Sequence, residues 1–130
     1  DGSATGAPQR SGGVRHLIPW QDWSEAEIER LLASGKPVFV DVTADWCFTC
    51  KVNERVVLET EDVAAALARA GVVALKADWT NRNDAIADYL AKFGKSGIPF
   101  YALYRPGRPP HVFPELLTRD LVLRELRGAT

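Results

Sequence analysis

No methionine occurs anywhere in the 130 residues, and cysteine and histidine occur only twice each, as Cys47 and Cys50 and as His16 and His111. The missing thioethers take away the soft ligands of a copper-handling protein. A structural zinc site needs four protein ligands; four candidates exist, but there is no second C-x-x-C and no pair of histidines at metal-binding spacing. No metal is expected. A charge excess is missing too. The net charge of −1 gives no electrostatic reason to seek a phosphate backbone, so nucleic acid is not an expected partner. No apolar run approaches the roughly 20 residues that span a bilayer, and no basic segment followed by an apolar one opens the chain. Direct membrane insertion of this segment is not expected. A chain that begins at Asp1 rather than Met reads as a processed product or a piece of something longer.

What is present is enough apolar residue, 46% with 25% charged, to bury one core. Residues 1–13, DGSATGAPQRSGG, nearly lack apolar side chains, so ordering them would cost entropy with little burial in return. They read as a flexible linker or tail, ahead of a single domain spanning 14–130. In that domain Pro19 limits any regular strand in VRHLIPWQDW. Ser24 with Glu27 three residues later, then Ile28, Leu31 and Leu32 on one face and Gly35 as a stop, predicts a helix. VFVDV after Pro37 is too short for a helix and apolar on both faces apart from Asp41, which describes a central strand. The segment from the cysteines to about Val57 has few breakers and reads as helix. A second helix follows, capped by Thr60 and ended by Gly71. VVALKAD (72–78) is another buried strand, and Ile86, Tyr89, Leu90 and Phe93 carry helical spacing. FYALY and HVF flank Pro106 and Gly107, an antiparallel hairpin signal, and Thr118 caps a closing amphipathic helix. Strands alternating with helices, then a hairpin, predict an α/β fold: a three-layer α/β/α sandwich around a mixed sheet.

The two cysteines could be a clasp, a metal site or a reagent. A disulfide between residues three apart stabilises by only about 2 kcal/mol on chain-entropy grounds, a poor staple for a domain this size. The reagent reading fits the local pattern. A strand ending near Thr43 and a helix beginning near Cys47 put that sulfur at a helix N-terminus, where unpaired N–H groups favour a thiolate. Cys47 is the candidate exposed nucleophile. Cys50, one turn further in on the same face and less exposed, is the candidate resolving thiol.

WCFTCK after a buried strand resembles the active-site motif of the thioredoxin superfamily, and the order of elements over residues 14–127 resembles its fold. The longer strings FVDVTADWCFTCKVNE, ADWTNRN and GKSGIPFYALY are similar to the C-terminal periplasmic domain of DsbD-type thiol:disulfide interchange proteins, including the ScsB-like branch. The resemblance implies a protein-disulfide reductase that relays electrons through Cys47 and Cys50. A membrane-embedded reductase domain would be the donor and periplasmic thiol–disulfide proteins the acceptors. It also implies a periplasmic location as part of a larger inner-membrane protein, a monomeric domain, and no dissociable cofactor, the electrons residing in two sulfurs. Ile98 and Pro99 match a loop whose proline is cis and faces the disulfide; the competing reading is a trans proline opening a strand. Trp46, Phe48 and Thr49 would shape the partner-binding surface, although Trp46 could equally be routine packing. Phe48-Thr49 is neither the Gly-Pro nor the Gly-His found between the cysteines of other members, so redox direction does not follow by copying.

The resemblance also marks two acids that physics singles out. Asp41 on an apolar strand is expensive to bury unpaired and is a candidate proton acceptor for Cys50; it could instead cap a turn or pair with Lys51 or Lys76. Glu54 falls on the face of the cysteines, or is an ordinary solvated helix residue. Both, if ionised, would raise the pKa of Cys47. Three other readings compete: a stand-alone thioredoxin-like reductase or oxidase, a non-catalytic thioredoxin-fold binding module, and a metal chaperone. Trp79 has no role that the sequence explains.

Overall fold

The computed structural model describes residues 16–128; the linker assigned to 1–13 lies outside them. In chain order the elements are β1 (Gln21–Asp22), α1 (Glu25–Ala33), β2 (Val38–Thr43), α2 (Phe48–Asn53), α3 (Glu61–Arg69), β3 (Val73–Asp78), α4 (Asp84–Ala91), β4 (Phe100–Tyr104), β5 (His111–Val112) and α5 (Arg119–Arg127). A π-helical turn, Glu54–Leu58, continues α2.

Among the described residues the five strands form one sheet in the order β1-β3-β2-β4-β5. β1, β3 and β2 run parallel, and β4 pairs antiparallel with both β2 and β5. This is the expected three-layer sandwich, because alternation along β2 supplies two cores at once. Val38, Val40 and Val42 face one side and pack with Ile28 and Leu31 of α1 and Ile86, Tyr89 and Leu90 of α4. Phe39 faces the other, with Leu58 of the π turn, Val63 and Leu67 of α3, and Val122 and Leu126 of α5. By the same alternation Asp41 points into the second layer, where α2 lies.

The helices start where their caps dictate. The hydroxyls of Ser24, Thr60 and Thr118 accept from the amides of Glu27, Val63 and Leu121, and Asn83 does the same for Ile86. Ser24 caps its helix as expected, while the Glu27 carboxylate turns to Arg30 three residues on. One local expectation needs correcting. The segment around Pro19 does contain a strand. It is two residues long, pairing Gln21 with Leu75 and Asp22 with Lys76, and it escapes notice because two residues carry no periodicity.

Candidate functional site: a disulfide at the start of a helix

The site is assembled where β2 ends. The chain turns over residues 44–47, with the Cys47 amide donating to the Ala44 carbonyl at 3.2 Å, and Cys47 becomes the N-cap of α2 in an extended conformation. Cys47 and Cys50 are joined as a disulfide with Cα atoms 5.3 Å apart, and the Cys50 amide lies 3.2 Å from the Cys47 sulfur. An N–H aimed at that sulfur is the arrangement that stabilises it as a thiolate when the bond is reduced.

Cys50 is the deeper of the two, 2% exposed against 7% for Cys47. The expectation of an openly exposed Cys47 is therefore corrected: both cysteines pack in a small cluster with Ala44, and Ile98 lies against it. Ile98 arrives from a loop some fifty residues away, so nothing in the local string reveals the cover. What is exposed is the apolar rim, Trp46 at 62% and Phe48 at 80%, while Thr49 is half-buried. The Ile98–Pro99 peptide bond is cis, with Pro99 buried. Trp46, Trp79 and Ile98 contribute apolar walls, and Thr80, Arg82 and Asp84 polar ones, to an open cleft of about 610 Å³. That gives Trp79 a place, and its backbone amide donates to the Thr43 carbonyl at 2.7 Å.

The two acids separate in environment. Asp41 is 2% exposed, and its Oδ1 has no hydrogen-bond partner among the described residues. Burial pushes its carboxyl up from 3.8 to about 7; the Lys76 cation pulls the other way, and Glu54 and Glu59 add to the rise. Its charge is thus conditional near neutral pH. Glu54 is only 8% exposed, which overturns the reading of a solvated helix residue, and its Oε2 accepts from Lys76 Nζ at 3.1 Å. Lys51 pairs with neither acid but lies 3.7 Å from Asp45.

Lys76, on sequence grounds no more than a possible partner of Asp41, organises the charged layer. It sits directly across from Asp41 in the β2–β3 register, reaches Glu54, and lies 4.7 Å from the centre of the Trp20 ring. One lysine in an apolar strand, mirrored by one aspartate in another, is the signal that could have found it. His16, Thr43, Lys51, Glu54, Lys76 and Asp78 line a polar cavity of about 150 Å³ in this region. Two further anchors left no local trace. Buried Asn53 donates to Tyr101 Oη at 2.9 Å and to the Glu115 carbonyl at 2.7 Å, and accepts from the Leu117 amide at 3.0 Å. The Glu59 side chain, 1% exposed, accepts from the amides of Leu17 and Ile18 at 2.6 and 3.1 Å and from Trp20 Nε1 at 2.6 Å, with His16 Nδ1 at 3.1 Å.

A family model described as thioredoxin-like matches residues 19–106. The chain belongs to the thioredoxin-like family. Relatives of this thioredoxin-like chain include the thiol:disulfide interchange protein DsbD of Yersinia enterocolitica, 34% identical over 98 residues. DsbD 1 of Pseudomonas aeruginosa is 37% identical over 93 residues. The matches cover 74% and 68% of this chain but 17% and 15% of those proteins, so the chain spans about a sixth of the relatives' length. Among solved structures, the Neisseria meningitidis DsbD C-terminal domain in the reduced form superposes with a TM-score of 0.64 at 19% identity, covering 82% of this chain and 97% of that one, which speaks to the fold. Trxlp from Edwardsiella tarda gives a TM-score of 0.62 at 27% identity with the same coverage. A Cys47–Cys50 disulfide at a helix start in a thioredoxin fold is the equipment of a disulfide oxidoreductase.

Proposed function

We propose that this domain is the dithiol/disulfide carrier of a DsbD-like electron relay, passing two electrons from a membrane-embedded reductase domain to periplasmic thiol–disulfide proteins. The observation that carries the reading is the disulfide itself: an outer sulfur at a helix N-terminus facing an amide, and an inner sulfur one turn behind. Thiol:disulfide interchange proteins among the relatives support it.

In the reduced domain the Cys47 thiolate attacks one sulfur of a partner's disulfide. A mixed disulfide forms and the partner's other sulfur leaves as a thiolate. Cys50 gives its proton to the Asp41 carboxylate and attacks the Cys47 sulfur. The Cys47–Cys50 bond forms, and the partner departs with both sulfurs reduced. A carboxyl poised near pH 7 suits this task, since it takes a proton at one stage and returns it at another. Glu54 and Lys76 set how readily Asp41 holds that proton. Trp46, Phe48, Thr49, Ile98 and Pro99 form the surface a partner meets, with the backbone before Pro99 pairing with the partner's extended segment. The electrons reside in the two sulfurs, so no dissociable cofactor takes part, and the domain acts as a monomer.

The test is trapping. Reduced Cys50→Ala should form a stable one-to-one mixed disulfide through Cys47 with 5,5′-dithiobis(2-nitrobenzoate), and in periplasmic extracts with its acceptor, which mass spectrometry then identifies. If Cys47→Ala forms the adduct and Cys50→Ala does not, the roles are reversed; if neither reacts, the carrier reading fails.

A further inference from the structure

The turn that delivers Cys47 is held from outside its own strand, by one residue. Asp45 and Trp46 are the central residues of the 44–47 turn, and both are fastened to Thr80, which follows β3. The Asp45 amide donates to Thr80 Oγ1 at 2.9 Å, and Trp46 Nε1 donates to the Thr80 carbonyl at 3.1 Å. Thr80 is fixed in turn by Asp78, whose Oδ1 accepts from the Thr80 hydroxyl at 2.5 Å and from its amide at 3.0 Å. A hydroxyl has one proton to give. Because that proton is committed to Asp78, the oxygen's lone pairs are left for the Asp45 amide, and the orientation of the pair is determined. A third stitch, from the Trp79 amide to the Thr43 carbonyl, closes the same seam.

We propose that Thr80 is a positioning residue for thiol–disulfide exchange: its hydroxyl and carbonyl lock the Asp45-Trp46 turn so that Cys47 stays at the N-cap of α2, within reach of the Cys50 amide. This rests on the exchange reading above and extends it to a residue that never meets the sulfur. Releasing the turn lets Cys47 drift from the N–H that stabilises its thiolate, so the thiol holds its proton more tightly and reacts more slowly at neutral pH. The charged and titratable groups around the turn are Asp45 and Lys51 beside it, Asp78 from β3, His16, and Asp41, Glu54 and Lys76 below. A substitution at Thr80 removes none of them, and of these Asp78 alone loses a hydrogen bond to the Thr80 side chain that is replaced, keeping the one from the Thr80 amide.

The experiment compares Thr80→Val, which keeps the shape and removes the hydroxyl, with Thr80→Ser, which keeps the hydroxyl. In the reduced chain the rate of alkylation by iodoacetamide is followed from pH 5 to 10, and exchange is measured with 5,5′-dithiobis(2-nitrobenzoate). Thr80→Val loses two hydrogen bonds, of which the one from the Asp45 amide holds the turn; it should react about 3–10-fold more slowly at pH 7, the worth of that one bond, with its alkylation midpoint moved to higher pH. Thr80→Ser should restore both. The Trp46 indole N–H should exchange with solvent faster in Thr80→Val than in wild type. If Thr80→Val does not fold cooperatively, Thr80→Ala takes its place in each comparison. A folded Thr80→Val with an unmoved midpoint, or a Thr80→Ser that behaves like it, overturns the proposal. Absence of exchange in the wild type would overturn the carrier reading instead, while the alkylation midpoint and the indole exchange still decide the role of Thr80.

Discussion

Replacing Asp41 with asparagine should stabilise the protein, and by an amount that depends on pH in a defined direction. The carboxyl is buried on β2 and keeps its proton up to about pH 7, where an ordinary aspartate loses it near 3.8. Between those values the folded state holds a proton that the unfolded chain has released, so stability falls as pH rises. It is full below about pH 4, declines through the interval and levels off above about pH 7. At about 1.4 kcal/mol per pH unit, the ionised carboxylate costs on the order of 4 kcal/mol at pH 8. Asparagine carries no charge to bury. Urea denaturation of oxidised wild type and Asp41→Asn at unit intervals from pH 4 to 8 should show a stability difference growing by roughly 4 kcal/mol in favour of the variant. A constant offset of about 1 kcal/mol from altered hydrogen bonding would leave that slope untouched. A difference that stays flat, or a variant that loses ground as pH rises, would mean that Lys76 holds Asp41 ionised throughout, and the burial argument would be refuted.

Glu54→Gln removes the partner of Lys76 and should cost about 1–3 kcal/mol, less than a fully buried pair because both side chains retain some exposure. It also takes away a carboxylate that pushes Asp41 upward, so the decline in stability should shift to lower pH in the same denaturation series. Asn53→Ala breaks three buried hydrogen bonds between the active-site helix, β4 and the segment before α5. A loss of about 2–4 kcal/mol is expected from denaturant midpoints, and a loss below about 0.5 would show that these bonds carry little net stability.

The layers were legible because periodicity and caps are local. VFVDV and VVALKAD could only be buried strands, and Ser24, Thr60 and Thr118 announced three helix starts that the structure keeps. The paired cysteines and the isolated aspartate were legible for the same reason, since each is an oddity within its own few residues. What escaped depends on contacts made far along the chain. Asn53 looks like any helix residue until Tyr101, Glu115 and Leu117 arrive 48 to 64 positions later. Cys47 looked exposed because Ile98, which packs against its cluster, comes from another loop. The π turn at Glu54–Leu58 leaves no mark in a pattern of apolar spacing, yet it sets where Glu54 and Glu59 point.

Glu59 has a mechanical consequence. Across residues 16–20 the amides of Leu17 and Ile18 and the Trp20 indole converge on a single carboxylate, while Ile18 and Trp20 also pack against the core. Glu59 stands at the far end of the rod whose near end is Cys47. The strap and the sulfur-bearing helix therefore share an anchor, and a displacement of one is passed to the other through the Glu59 carboxylate.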